Sequence, residues 1–330
     1  YKRKDITSGT VMLEATTFKA EEGDYTATFY VDQEQTTKAT VKIKVVKGDV
    51  ITHGDKYTIV GSNIVMTVDE VNAMNNNDDL ITLSNVQAFK RKEMTSANVK
   101  LDSTTLEAKV GDYEATFSVV DEPKTKAKVK IKVIDKDVIE HGDKYTIAAN
   151  NLVMTLDEAK AIKDNSELIT LAQAEAYKRK DMSAGTVQLD STTFDAKAGE
   201  YTAVFSVEEE PATKATIKIR VIDGDIIEHG DKYTIVASNV VMSVDEAKAL
   251  TDNNGLIGVA KVEAYKRKDM SVAAVQLDST TFTAKVGDYK ATFSVVDEPK
   301  TKAEVMIKVI DKDVIEHGDK YTIAANNLVM

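Results

Sequence analysis

The sequence predicts an all-β chain: tandem β-sandwich repeats of 88 residues, each with one short helix, arranged as an elongated rod. Three observations carry the prediction. His-Gly-Asp-Lys-Tyr-Thr-Ile begins at His53, His141, His229 and His317, and an aromatic-Lys-Arg-Lys-Asp/Glu run begins at Tyr1, Phe89, Tyr177 and Tyr265, with no insertion between copies. Segments such as Gly199–Val207 and Ala215–Val221 alternate apolar and polar residues with the period of a half-buried strand. Only one stretch per copy carries a helix start signal, Thr/Ser-x-Asp-Glu.

Fixed spacing divides the chain into a partial repeat at 1–52 that lacks its opening strand and helix, repeats at 53–140, 141–228 and 229–316, and the opening strand of a further repeat at 317–330. A unit of 88 residues is long enough to bury a core unaided, the rough lower limit being about 40. The chain has no cysteine, which excludes disulfides and Cys-based zinc sites. Its formal net charge of −11 opposes general affinity for nucleic acid or acidic membranes. No apolar run approaches the roughly 20 residues of a membrane-spanning helix. A start at Tyr1 without an initiator Met or leader reads as a window on a longer polypeptide.

The copy at 141–228 illustrates the elements. Tyr145-Thr-Ile147 opens a strand expected to run to Met154. Thr155-Leu-Asp-Glu158 is a capping box, repeated at Thr67–Glu70 and Ser243–Glu246, so a short helix is expected from Asp157 to about Lys163. Leu168–Tyr177, with alternating Ala172, Ala174 and Ala176, reads as a strand with small inward side chains. Lys178–Asp181 is a polar connection, and Thr186–Leu189 and Ser191–Phe194 are short β runs. Gly199–Val207 is the strongest strand, with Tyr201, Ala203, Phe205 and Val207 on one face. Glu208–Thr213 reads as a turn around Pro211, and Ala215–Val221 as the closing strand.

Gly-Asp/Glu-Tyr recurs at Tyr25, Tyr113, Tyr201 and Tyr289. It resembles the tyrosine corner of immunoglobulin-like (Ig-like) sandwiches. Ala27, Ala115, Ala203 and Ala291 stand where antibody domains carry a disulfide cysteine, so packing has to replace the covalent staple. With the order of elements, the pattern resembles the tandem Ig-like repeats of Gram-positive cell-wall adhesins. That resemblance implies an extracellular bacterial cell-surface protein whose repeats hold a terminal head away from the wall.

Between repeats, Asp135–Asp143 contains no Pro and one Gly, unlike a flexible linker, and Val138 and Ile139 are expected to pack at a joint. A semi-rigid rod follows, each unit adding roughly 35 Å for a strand of about ten residues. The two terminal pieces fall 22 residues short of one repeat, which favours a cut through a continuous chain over donor-strand completion by a second copy, although assembly into fibres stays open. Lys132–Met154 equals Lys308–Met330, and Phe117–Ala127 equals Phe293–Ala303, as suits a protein whose repeat number varies. Near-identical neighbours also invite strand swapping during folding.

The candidate chemistry is sparse. The four histidines, His53, His141, His229 and His317, mark the inter-repeat joint; a polar turn explains them more simply than a metal or pH-sensitive site, since one His per joint is too few ligands. Asp135, Asp137, Glu140 and Asp143 are hard oxygen ligands that calcium could use, but they lack EF-hand spacing, so no cofactor is expected and solvated charge is preferred. The Lys-Arg-Lys clusters at 2–4, 90–92, 178–180 and 266–268 read as solvated bends rather than polyanion sites. Lys126, Lys128, Lys130 and Lys132 suit a protected strand edge. Asn63, Asn151, Asn239 and Asn327 recur, but no Lys–Asn isopeptide triad can be named. No nucleophile elbow, phosphate loop or His-Glu-x-x-His is present, and no repeat is differentiated, so an enzyme is not expected. The expected role is structural: a stalk or filament segment whose partners are neighbouring repeats. The alternative is a multivalent adhesin whose repeats bind a host protein or glycan.

Overall fold

The computed structural model describes residues 8–312, 314–318 and 321–327. Two compact units result. One runs to Asp135 and takes in Tyr177–Ala184; the other comprises Lys136–Ala176 and everything from Gly185 onward.

The first unit opens with a three-stranded antiparallel sheet of β1 (Val11–Thr16), β2 (Gly23–Val31) and β3 (Glu34–Val45), in that order. A complete β-sandwich follows. Its first sheet holds β4 (Val50–His53), β5 (Tyr57–Gly61), β7 (Gln87–Lys90) and β8 (Ser96–Ala97). Its second holds β6 (Ile64–Thr67), β9 (Val99–Thr104), β10 (Gly111–Val119) and β11 (Glu122–Ile134), in the order β6-β11-β10-β9. β10 and β11 form a long hairpin from Gly111↔Val133 to Val119↔Glu122, and β6 joins β11 in parallel, Ile64↔Ile131 to Thr67↔Ile134. The Tyr-bearing strand thus has its hairpin partner beside it, as strands F and G lie in immunoglobulin sheets. Its other neighbour, β9, is the strand just before it in sequence.

Alternation explains the core. Ala115, Phe117 and Val119 of β10 and Ala127, Val129, Ile131 and Val133 of β11 point inward against Ile59, Met66, Leu80 and Ala88. Each fully buried aromatic or branched side chain contributes about 1.5–3 kcal/mol. The same arrangement recurs twice in the second unit. Core clusters there centre on Phe205 with Ile147, Ile217 and Ile219, and on Phe293 with Ile235 and Ile307. A final hairpin pairs Val314–His317 with Thr322–Ala325.

The capping box forms as expected: Thr155 accepts from the Glu158 amide while Glu158 accepts from the Thr155 amide, and a helix spans Leu156–Ala161. Other expectations are corrected. The run from Tyr145 to Met154 is two strands, Tyr145–Ala149 and Leu152–Thr155, parted at Asn150–Asn151 where the chain changes sheets. Leu168–Tyr177 is not one strand. A second helix occupies Glu167–Leu171 and strand resumes at Glu175, so each complete repeat carries two short helices rather than one. Buried Leu168 and Ala172, four residues apart, outweigh the alanine alternation, and Gln173 at φ 47 ends the helix. The turn at Glu208 is shorter than expected, because strand resumes at Glu210 and includes Pro211. Positions 53, 141 and 229 lie inside a hairpin, Val50–His53 with Tyr57–Gly61 and its equivalents.

Candidate functional site: the junction face

The sheet change at Asn63 and Asn151 builds the most elaborate polar site of each unit. In the first, Asn63 Oδ1 accepts from the Lys130 amide at 2.8 Å, and the Asn63 amide donates to Asp49 Oδ2 at 2.9 Å. The carboxamide is thereby fixed, and its Nδ2 donates to the carbonyls of Arg179 and Lys180 at 2.8 and 3.0 Å. Lys130 Nζ reaches the Asp181 carbonyl at 3.2 Å, and Lys132 Nζ lies 5.0 Å from the centre of the Tyr177 ring. The aromatic-Lys-Arg-Lys turn of one repeat is therefore held on the sandwich before it.

The second unit repeats the design. Asn151 Nδ2 donates to the carbonyls of Arg267 and Lys268 at 2.8 and 3.1 Å, and its Oδ1 accepts from the Lys218 amide at 2.8 Å. Lys218 Nζ reaches the Asp269 carbonyl at 3.0 Å, and the Arg220 guanidinium stacks 4.3 Å from the Tyr265 ring centre. Beneath these contacts Val153, Val236, Tyr265 and Met270 form an apolar cluster separate from either core, flanked by Ile222 and Ile227. Burial, reinforced by a hydrogen bond to Glu263, pushes the Tyr265 phenol up to about 12. The partial repeat makes a simpler junction, with Lys44 Nζ 5.3 Å from the Phe89 ring centre.

Met94, Met182 and Met270 close these turns in the left-handed region, at φ 61, 63 and 61. A side chain there costs roughly 1–3 kcal/mol, and Met270 is nonetheless buried in the junction cluster. Sequence reading missed these residues; the available signal was a Met at a fixed place after Lys-Arg-Lys-Asp/Glu. It also noted the recurrent asparagines without seeing that they clamp the next turn. The nearby Lys130 Nζ is engaged at Asp181.

The expected site residues fall as follows. Tyr25, Tyr113, Tyr201 and Tyr289 donate from Oη to the carbonyls of Glu21, Lys109, Lys197 and Lys285, at 3.0, 3.0, 3.0 and 2.9 Å. The preceding glycine makes room for its own tyrosine: a Cβ at Gly111 would sit 3.1 Å from Tyr113 Oη. His53, His141, His229 and His317 each end the first strand of a hairpin, with Nδ1 3.0–3.1 Å from Thr58, Thr146, Thr234 and Thr322 Oγ1. They therefore lie within a sheet rather than in a linker. Burial depresses the pKa of His229, against the opposing pull of Glu158 in the preceding repeat.

The hairpin turn is clamped from the opposite sheet. Glu122 accepts from the Lys56 and Tyr57 amides and from Thr125 Oγ1, the last at 2.7 Å and the main cause of its lowered pKa. A Cβ at Gly142 would meet Thr213 Oγ1 at 1.8 Å, so the Gly of His-Gly-Asp is a requirement of close approach.

Among the described residues no three His, Cys, Asp or Glu side chains converge as metal ligands. Of the calcium candidates, Asp137 Oδ2 accepts from the Asn151 amide at 3.0 Å and lies 3.8 Å from Arg267 Nε. Glu140 stands opposite Ile147 in a hairpin whose turn holds Asp143, and Asp135 follows β11. The first Lys-Arg-Lys cluster, at 2–4, lies outside the described residues. In two of the others the arginine serves the fold: Arg91 donates to the Gly54 carbonyl at 2.8 Å and Arg267 to that of Asp231 at 3.0 Å. Of the edge lysines, Lys126 and Lys128 pair with Asp102 and Glu114, at 2.8 and 2.5 Å, where β6 does not reach, while Lys130 and Lys132 serve the junction.

No family model and no curated protein matches the chain. Similar solved structures include the M60 catalytic domain with two CBM51 domains from Clostridium perfringens ZmpB, at 15% identity and a TM-score of 0.22 over 89% of this chain and 34% of that one. Invasin, a bacterial integrin-binding protein, is similar at 9% identity and 0.19, over 88% and 65%. Domains 4–9 of the surface layer protein SbsC are similar at 8% and 0.17, over 93% and 60%. The chain thus spans between a third and two thirds of the length of these structures. At such TM-scores the likeness carries no argument, and the β-sandwich assignment rests on strand pairing and packing.

Proposed function

We propose that the chain is a structural segment, a stalk or filament portion of an extracellular bacterial surface protein, in which repeats set length and spacing. One observation carries this reading: the junction faces at Asn63 and Asn151 are spent on the neighbouring repeat. Asn63 and Asn151 give their amide protons to the next turn, and Tyr265 and Met270 are buried there. Such clamping stiffens an array and contributes nothing to catalysis. The Asn of the sheet change, the corner Tyr and the His of His-Gly-Asp recur from repeat to repeat, as suits units with one shared role. The placement at a bacterial surface is drawn from the resemblance of the repeat pattern to cell-wall adhesin repeats.

Two measurements test it. Small-angle scattering should give a rod-like distance distribution, and single-molecule stretching should give equal steps, each releasing about 300 Å of contour for 88 residues. A compact particle or a single unfolding step would sink the proposal.

A second reading, multivalent binding of a host protein or glycan, is favoured by one recurrence. A cleft of about 480 Å³ lined by Thr105, Tyr113, Glu114 and Lys132 has a counterpart of about 380 Å³ lined by Thr193, Tyr201, Thr202 and Arg220. Saturable binding of a glycan by the whole chain, lost on Tyr113→Ala with Tyr201→Ala, would select it.

A further inference from the structure

With 10 methionines and no cysteine, the thioether is the only sulfur chemistry of this chain. Three settings differ in access. Met12 and Met306 are 43 and 46% exposed. Met66, Met154 and Met242 are buried in the three sandwich cores. Met182 and Met270 close the Tyr-Lys-Arg-Lys-Asp turns in left-handed backbone, at φ 63 and 61. A methionine there is strained, so the packing of its side chain has to offset the cost. Met270 packs against Val153, Val236 and Tyr265.

Both side chains also line a cleft. The cleft at Met182 measures about 480 Å³ and that at Met270 about 380 Å³. A water takes roughly 30 Å³ of liquid, so an oxidant as small as hydrogen peroxide has ample room in either. Beside the sulfur the clefts are lined by Lys130 and Lys132, or Lys218 and Arg220, which make the junction contacts themselves. The thioether is thus apolar packing on one side and within reach of a small oxidant on the other.

We propose that Met182 and Met270 are oxidation sites, at which a peroxide loosens the hold of a sandwich on the turn of the next repeat. A lone pair of Sδ attacks one peroxide oxygen. The O–O bond breaks, an S–O bond forms, and the other oxygen takes up the proton and leaves as water. Sulfur loses two electrons and the peroxide gains them. The product is a polar sulfoxide in place of a flexible apolar side chain. At Met270 the new oxygen keeps its hydration only by turning into the cleft, which uncovers Val153 and Val236. The left-handed turn then loses the packing that offset its strain, and the bonds from Asn151 to the Arg267 and Lys268 carbonyls weaken with it. At Met182 the same change acts on the bonds from Asn63 to Arg179 and Lys180. The sandwich cores are spared, and a sulfoxide reductase reverses the step. This sensitivity goes beyond the stalk reading and does not depend on what the array spaces.

Graded hydrogen peroxide on the 330-residue chain, followed by peptide mass mapping and brief trypsin digestion, tests it. Met12 and Met306 should take up oxygen first, Met182 and Met270 next, and Met66, Met154 and Met242 last. Cleavage within Lys178–Lys180 and Lys266–Lys268 should quicken about tenfold once Met182 and Met270 are oxidised, because it follows the fraction of open turn. Met182→Leu with Met270→Leu, close to methionine in volume, should abolish the gain. Reductase treatment of the oxidised, unsubstituted chain should restore slow cleavage, a readout that needs no variant to fold. The proposal is overturned if Met182 and Met270 resist peroxide as long as the core methionines do, or if the oxidised turns are cut no faster. It is overturned equally if the double leucine chain gains as much, or if reduction leaves cleavage fast.

Discussion

Asn151 and Asn239 occupy the same place in successive repeats of the second unit. Their inner contacts agree: each carboxamide oxygen is held by a strand amide, and each backbone amide by an aspartate. Their outer contacts differ, since Asn151 is buried beneath Arg267 and Lys268 while Asn239 is exposed. The inner contacts are therefore the same whether or not the outer ones are made. Preorganisation of this kind reduces the ordering cost of docking. It also separates two roles that a single junction would confound, holding the sheet change together and holding the next repeat.

The largest expected effect breaks the filled junction from the other side. Tyr265 is 3% exposed and carries both the apolar cluster and the Arg220 stack. Tyr265→Ala should cost about 3–5 kcal/mol, read as a lower urea midpoint. If the midpoint does not move, the cluster contributes nothing to stability. A smaller effect sharpens the comparison itself. Asn151→Ala strands the Lys218 amide and releases two carbonyls, whereas Asn239→Ala strands only the Met306 amide. Asn151→Ala should thus exceed Asn239→Ala by about 1 kcal/mol. Equal losses would show that docking adds no stability.

The turn-closing methionine should give less. Met270→Gly relieves a left-handed backbone but removes a buried side chain, for a net loss of about 1–2 kcal/mol. The half-buried Met94, at φ 61, should tolerate the same change better.

How much of this was legible in the sequence follows from where the information lies. Strand identity is local, and the bounds of Gly199–Val207 were readable because alternation and burial coincide as far as Phe205, although Ser206 on the polar face is buried too. The capping boxes were readable because their partners are three residues apart. The second helix was hidden because Ala172, Ala174 and Ala176 alternate with a strand period, and only the burial of Leu168 together with Ala172, four residues on, decides. The clamp was illegible for a different reason. Asn63 and Arg179 are 116 residues apart, and nothing in either neighbourhood names the other. Fixed spacing showed that Asn63, Asn151 and Asn239 matter, but not to what.

The smallest effect is set by pH. His229 packs beside Thr234, near Glu158 and Arg267, and burial is the largest influence on its pKa, lowering it from 6.5, while Glu158 pulls the other way. A depressed folded pKa means that the unfolded chain binds the proton first. Stability is then complete above 6.5 and falls as the pH drops through that value toward the folded pKa. His229→Gln should remove this slope and leave the steeper acid loss untouched. That loss begins where Glu122, Asp102 and Asp278, whose pKa values lie below 4.5, 3.8 and 3.8, take up protons and release their hydrogen bonds to Thr125, Lys126 and Lys302. Stability measured by urea titration on both sides of 6.5 checks the sign. A chain that gained stability on acidification through that range would show that Glu158 outweighs burial, and that the junction histidine is held as a cation.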